Sequence, residues 1–362
     1  MEDWFLLPKI ELHAHLNGSI RNSTLLELAK QLGDEGVLVF ADVEHVIMKN
    51  RMSMAECFKL FDLIHVVTTD HATVTRITKE VVEDFAAENT VYLELRTTPK
   101  KNESKGLSKR SYMEAVINGL RAIDTVDVYF TPASGSMEIS ITPPINDSCN
   151  GSTRRKIYVR LLLSIDRRET TAAAMETVQL ALEMRDLGVV GLDLSGNPVV
   201  GEWETFLPAL KFAREQGLPI TLHCGEVPNQ KEVQAMLDFL PQRIGHACCF
   251  EEEDWRKLKS SRIPVEICLT SNLKTETISS IDVHHFADLY NAKHPLVLCT
   301  DDTGVFSTSL SSEYCFAAAS FGLDKGEIFQ LGRDAIEYAF ADEGVKKDLR
   351  KIFALAIKKL GL

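Results

Sequence analysis

Two histidines separated by one residue, His13 and His15 in the segment KIELHAHLNGS, are the first side chains in this sequence with evident chemistry. Three further segments offer side chains of the same kind. They are His223 in PITLHCGE, His246 in RIGHACC, and the pair Asp301 and Asp302 in LVLCTDDTG. Each sits where a short apolar run gives way to a polar turn. Alternate side chains of an extended strand share a face, so His13 and His15 point the same way. Imidazole nitrogen and carboxylate oxygen are the ligands Zn²⁺ takes when it keeps a position for water. The set therefore predicts a metal that activates water, not a structural zinc. One such histidine alone would be read as an ordinary core or surface residue. Four strand-end segments that agree with one architecture change that reading. His45, His71, His284, His285 and His294 fall in helical or turn-like contexts and read as surface or capping residues.

Eight apolar runs have strand length: KIELHAHL, VYLELRTTP, KIYVRLLLSID, VVGLDLSG, LPITLHCGE, RIGHACC, PVEICLTSN and PLVLCTDD. Most are near-continuous stretches of Val, Ile and Leu, as in strands covered on both faces. Helical patterns lie between them. TTAAAMETVQLALEMRDLG stops at Gly188 and WETFLPALKFAREQG at Gly217. Eight alternations of strand and helix predict a (β/α)₈ TIM barrel, here one domain over residues 1–362. Catalytic groups of such barrels come from the C-terminal ends of different strands, which is where these histidines and aspartates stand. Glu226 follows His223 by three residues and can reach the same cavity. Residues 20–90 hold more helix than one strand connection needs. The excess, including SMAECFKLFDLIHVV, predicts a lid over the mouth, with Phe58 and Phe61 either in that lid or in the core. Residues 131–156, rich in Ser, Pro, Asn and Gly, read as a long mobile loop with no chemical role.

Composition narrows the function classes. The 362 residues are 45% hydrophobic and 25% charged, as in a globular protein. No apolar run is long enough to span a bilayer, and the acidic start MEDWFLLPK is unlike a signal peptide. A net charge of −12 argues against polymeric nucleic acid as a partner, so an anion must be held by a local site. Eight cysteines without a C-x-x-C pair read as reduced thiols. Cys224, Cys248, Cys249, Cys268 and Cys299 are expected inside core strands. A cytosolic monomer acting on a small molecule is the expectation.

In order and spacing, HAHLNGS, SGNP, HCGE, GHA and TDD resemble the motifs of the adenosine deaminase family of metal-dependent hydrolases. The resemblance runs from the first strand to the eighth and includes the lid. It implies that His13, His15, His223 and Asp301 hold one zinc per chain. It implies that His246 and Asp301 orient and deprotonate the attacking water. Glu226 resembles the acid that protonates purine N1, Asp302 the partner of N7, and the Gly196 backbone the partner of N3. The end of the fourth strand reads DLSGN and has no lysine to bridge a second metal. Nucleobase deaminases with a His/Cys/Cys site carry a P-C-x-x-C segment that this chain lacks.

Two departures from nucleoside-acting members concern the substrate's 5′ end. Those members carry an acidic residue two positions after the second metal-binding histidine; here it is Asn17, whose amide can donate to a phosphate. At the end of the second strand this chain reads RTTPK where they resemble RYSPH. Thr97, Thr98 and Pro99 with Lys100, joined by Ser19 and His65, are expected to form an anion pocket. Asp166 is a candidate ribose- or phosphate-side contact. The pattern resembles the subfamily that hydrolyses N6-methyl-AMP to IMP. The rival readings are a deaminase of plain adenosine, a two-metal hydrolase on the same barrel, and a silent purine-binding protein.

Overall fold

The computed structural model describes residues 2–36, 53–131 and 154–362. Among them, nine strands make one parallel sheet: β1 (Lys9–His15), β2 (Thr90–Thr97), β3 (Asp127–Tyr129), β4 (Lys156–Asp166), β5 (Val189–Ser195), β6 (Ile220–Cys224), β7 (Arg243–His246), β8 (Val265–Ile267) and β9 (Leu296–Leu298). The order is β1-β2-β4-β5-β6-β7-β8-β9, with β3 beside β4 and off that path. Asp301, just past β9, bridges Ala14 on β1. The His15 amide donates to the Asp301 carbonyl at 2.9 Å, and the Asp301 amide to the His13 carbonyl at 2.8 Å. The sheet thus closes into a (β/α)₈ barrel, and closure itself brings Asp301 to His13 and His15.

All eight apolar runs become barrel strands. They are buried along nearly their whole length, because helices cover one face and the barrel interior the other. The three-residue β3 escaped the sequence reading because it is too short to show alternation. The helix Thr171–Glu183 and its 3₁₀ extension stop at Gly188, which takes φ +93°, a conformation that suits glycine. Helix Trp203–Glu215 is followed by Gly217 at φ +71° in the same way. No helix among the described residues is long and apolar enough to cross a membrane.

The excess helix between β1 and β2 comprises Asn22–Asp34, Met54–Val67 and His71–Ala87, with residues 37–52 outside the described residues. His71–Ala87 packs on β2 as a barrel helix would. Met54–Val67 lies over the mouth, and Phe58 and Phe61 face the cavity there with ring centroids 5.8 Å apart. These two rings therefore belong to the lid. Most of the loop expected over 131–156 falls on residues 132–153, which lie outside the described residues, as does His45. Its last residue, Lys156, already begins β4.

Several expectations need correction. His284, His285 and His294 are not surface residues, since all three are buried, although His284 and His285 do stand at helix caps. His294 sits 2.8 Å from the Ile263 carbonyl. His284 and His285 stack with centroids 4.4 Å apart. Their sequence context is a turn, but it is folded inward, with His284 against Asn272 and His285 against Trp255. Cys248 and Cys249 lie past the end of β7 and are only partly buried, and Cys268 and Cys299 lie just past β8 and β9 but are buried; of the five only Cys224 is within a strand.

Candidate active site

The C-terminal ends of β1, β6 and β7, with the turn after β9, converge on one point. Side-chain donor atoms of His13, His223, His246 and Asp301 all lie within 4.8 Å of one another. His13 Nδ1 is 2.6 Å from Glu266 Oε2 on β8, and His223 Nδ1 is 2.9 Å from Asp193 Oδ1 on β5. An ionised carboxylate only accepts, so each of these Nδ1 atoms carries the proton. Each ring then presents a bare Nε2 to the centre, the tautomer a metal ligand needs.

The centre has the dimensions of a small tetrahedral ion. His15 Nε2 lies 3.1 Å from His223 Nε2 and 3.4 Å from Asp301 Oδ1, and His13 Nε2 is also 3.4 Å from Asp301 Oδ1. Ligands ~2.0–2.1 Å from a tetrahedral zinc stand roughly 3.3 Å apart. His13 Nε2 is buried and has no hydrogen-bond partner. A lone pair with no donor in a dry site is costly unless a cation takes it. The residues present fit a zinc ion.

Backbone strain marks the same place. His246, Ala247 and Asp301 take φ of +68°, +58° and +65°, a region that non-glycine residues seldom occupy. Asp301 Oδ2 accepts from Ser271 Oγ at 2.7 Å. Burial works against the charge on Asp301, but His13, His246 and His15 hold its carboxyl well below the usual range. Its neighbour Asp302 goes the other way: burial and the charge on Asp301 push it well above. A shift in this direction favours the protonated carboxyl, the form that can donate a hydrogen bond. A side chain at Gly18 would stand 1.6 Å from Asp302 Oδ1, so only glycine lets that carboxyl reach the cavity. Burial, with Asp301 nearby, raises Glu226 to about 6, though His223 opposes the shift.

These groups line a cavity of about 200 Å³. His15, Asn17, His65, Thr97, Thr98, Asp166, Gly196, His223, Glu226, His246, Asp301 and Asp302 all face it. His13 sits behind this wall, and Ser19, Pro99 and Lys100 are also outside the lining. Lys100 instead reaches Thr68 at the end of the lid helix, with Nζ 3.3 Å from Oγ1. Asn17 Nδ2 donates to the same Thr68 oxygen at 3.2 Å, and Asn17 Oδ1 lies 3.2 Å from both the Thr97 and Tyr112 hydroxyls. Thr68 gives its own hydroxyl proton to the Ile64 carbonyl, so its oxygen is left as an acceptor and fixes the amide with its donor side toward Thr68, where Lys100 also donates. Burial lowers Lys100 to about 7, and burial with Lys100 and Arg168 lowers His65 to about 3.

A family model for adenosine deaminase matches residues 8–354. The chain belongs to the adenosine deaminase family. It is 71% identical to an N6-mAMP deaminase of Arabidopsis thaliana, over 96% of each chain. It is 39% identical to the human N6-Methyl-AMP deaminase, over 95% of this chain and 92% of that one. Among solved structures, Arabidopsis ADAL complexed with IMP superposes with a TM-score of 0.92 at 68% identity, covering 99% of both chains.

The family motifs led to many of the side chains that face the cavity and left unnamed those that hold the histidines. Glu266 and Asp193, which orient His13 and His223, were missed, as was Arg96 between them. The signal was present, since each is a charged residue inside an apolar strand, in PVEICL, GLDLSG and LELRTT, and buried charges must be paired. Arg168 was also missed. It lines the cavity and pairs with Asp166 at 2.7 Å and with Asp62 of the lid helix at 3.1 Å. Its sequence context, SIDRRET, looks like an ordinary solvated turn.

Proposed function

We propose that this chain hydrolyses a purine 5′-monophosphate at C6, with N6-methyl-AMP as substrate and IMP and methylamine as products. One zinc per chain, held by His13, His15, His223 and Asp301, would lower the pKa of a water at the site toward ~7 and so supply the nucleophile. The chain's own groups do the rest. Glu226 has a raised pKa that lets it carry a proton to N1 near neutral pH. Protonation there lets the ring accept the electrons of the attacking oxygen. The neutral carboxyl of Asp302 donates to N7, which offers only a lone pair. The amide of Gly196, which lines the cavity, donates to N3. His246 and Asp301 flank the reacting water, orient it, and see its proton removed. When the tetrahedral carbon collapses, the amine at C6 leaves.

The observation that carries this reading is Asn17. It stands in the family's catalytic constellation at the position of the ribose contact, yet it is a neutral amide with its donor edge toward Thr68 and Lys100. This suits a phosphate and offers no carboxylate to repel it. The relatives named as N6-methyl-AMP deaminases support the same substrate. We read the enzyme as a cytosolic monomer of one domain.

The test is steady-state kinetics on adenosine, AMP and N6-methyl-AMP with the released amine identified. N6-methyl-AMP should give the highest kcat/KM and yield methylamine. Faster turnover of adenosine than of either nucleotide would overturn the proposal in favour of the nucleoside reading.

A further inference from the structure

His246 differs from the other histidines of the site in what holds its far nitrogen. No carboxylate reaches its Nδ1. The partner is the side-chain amide of Asn272, with Nδ2 3.1 Å away. Asn272 Oδ1 is in turn 3.2 Å from His284 Nε2, and His284 Nδ1 is 3.1 Å from the backbone nitrogen of Phe286. His246, Asn272 and His284 are each nearly inaccessible to solvent.

One end of this chain is unambiguous. The Phe286 backbone N–H can only donate, so His284 Nδ1 carries a lone pair and its proton sits on Nε2. That proton must go to an acceptor, which makes the facing atom of Asn272 its oxygen and fixes the orientation of the amide. The amide NH₂ then faces His246 and donates to Nδ1. His246 Nδ1 is therefore an acceptor, and the single ring proton of neutral His246 lies on Nε2, aimed into the cavity. Nε2 has no partner there; it stands 3.7 Å from Glu226 Oε1 and 4.0 Å from Asp301 Oδ2. This is the opposite of His13 and His223, whose carboxylate partners place the proton on Nδ1.

We infer that Asn272 and His284 are positioning residues that lock His246 as its Nε2–H tautomer, so that His246 donates a hydrogen bond to the reacting oxygen and does not take the water's proton. Taking that proton would need a lone pair on Nε2, and the amide chain places the lone pair on Nδ1. The donor strengthens as negative charge develops on the oxygen, which is how a preorganised hydrogen bond lowers a barrier. The same lock separates His246 from the metal-binding histidines, since an Nε2 that bears a proton cannot ligate. The role in turnover rests on the reading proposed above, but the tautomer does not.

Long-range ¹H–¹⁵N spectra of the zinc-loaded protein without substrate will locate the ring protons. The expected result is a proton on Nε2 in both His246 and His284. A proton on Nδ1 of His246 overturns the inference whatever the enzyme acts on. Asn272→Asp replaces the amide by an acceptor of the same shape. His246 should then move its proton to Nδ1, and kcat should fall roughly 10²–10³-fold with KM within about twofold, as when one preorganised donor is lost. Zinc content should be unchanged. Wild-type kcat with the proton moved would also overturn the inference. His284→Gln can still accept from Phe286 and donate to Asn272, whereas His284→Phe can do neither. Only the former should retain the Nε2–H spectrum and most of kcat, and equal behaviour of the two would count against the chain.

Discussion

Arg96 Nη2 donates to Glu266 Oε2 at 3.0 Å, the same oxygen that faces His13 Nδ1 at 2.6 Å. The other arm of the guanidinium, Nη1, stands 3.2 Å from Asp193 Oδ1, which holds His223. One fully buried arginine thus pairs with both carboxylates that orient metal-binding rings. Glu266 is shared further with Arg243 at 2.6 Å and with Thr221.

Arg96→Met should therefore leave two buried carboxylates short of a partner. Breaking a buried ion pair from one side typically costs about 3–5 kcal/mol, and loss of an outer partner lowers metal affinity about 10–100-fold. Denaturant melts and a zinc titration measure the two effects separately. A variant that melts as the wild type does and binds zinc equally well would show that Arg96 holds neither carboxylate.

Replacing His13, His223 or Asp301 by Ala should remove tightly bound zinc and nearly all activity. Elemental analysis of the wild type should find about one zinc per chain. Two metals per chain would favour a bridged two-metal site instead.

Glu226→Gln keeps the shape and removes the acid. Loss of a positioned acid typically costs ~10²–10⁴ in rate, and zinc content should not change. Turnover at the wild-type rate would mean that another group protonates the ring.

Asn17→Asp and Lys100→Ala should each harm a 5′-monophosphate far more than the matching nucleoside. A charge pair at ~4 Å and a dielectric of ~20 is of order 4 kcal/mol, which partial hydration reduces to ~1–3. The corresponding loss in kcat/KM is roughly tenfold to a hundredfold. Equal losses on both substrates would mean that these residues shape the site without reading phosphate.

Lys100 also sets a pH dependence. Burial depresses it to about 7, so its positive charge is present below that pH and fades above it. In wild type, kcat/KM for the monophosphate should fall above about pH 7 while that for the nucleoside does not. Lys100→Arg should shift the fall to higher pH, because guanidinium stays charged. A profile identical for nucleotide and nucleoside would exclude Lys100 as the titrating group.

By itself the sequence determined the barrel and the place of its chemistry. Runs of apolar residues fix strands, a strand's end fixes where a side chain emerges, and His13, His15, His223, His246 and Asp301 each stand at such an end. Partnership lies beyond that local code. Arg96 and Glu266 are 170 residues apart, and His13 and Glu266 are 253 apart. Periodicity says that each of these residues faces the barrel interior, but not which interior residue it meets. Only the closed barrel decides that Glu266 faces His13 and Asp193 faces His223. The buried turn that carries His284 shows the same limit, because its residues look like surface until Asn272 and Trp255 pack against them. Which nitrogen of each ring carries the proton follows from these long-range contacts, so it is a property of the tertiary structure alone.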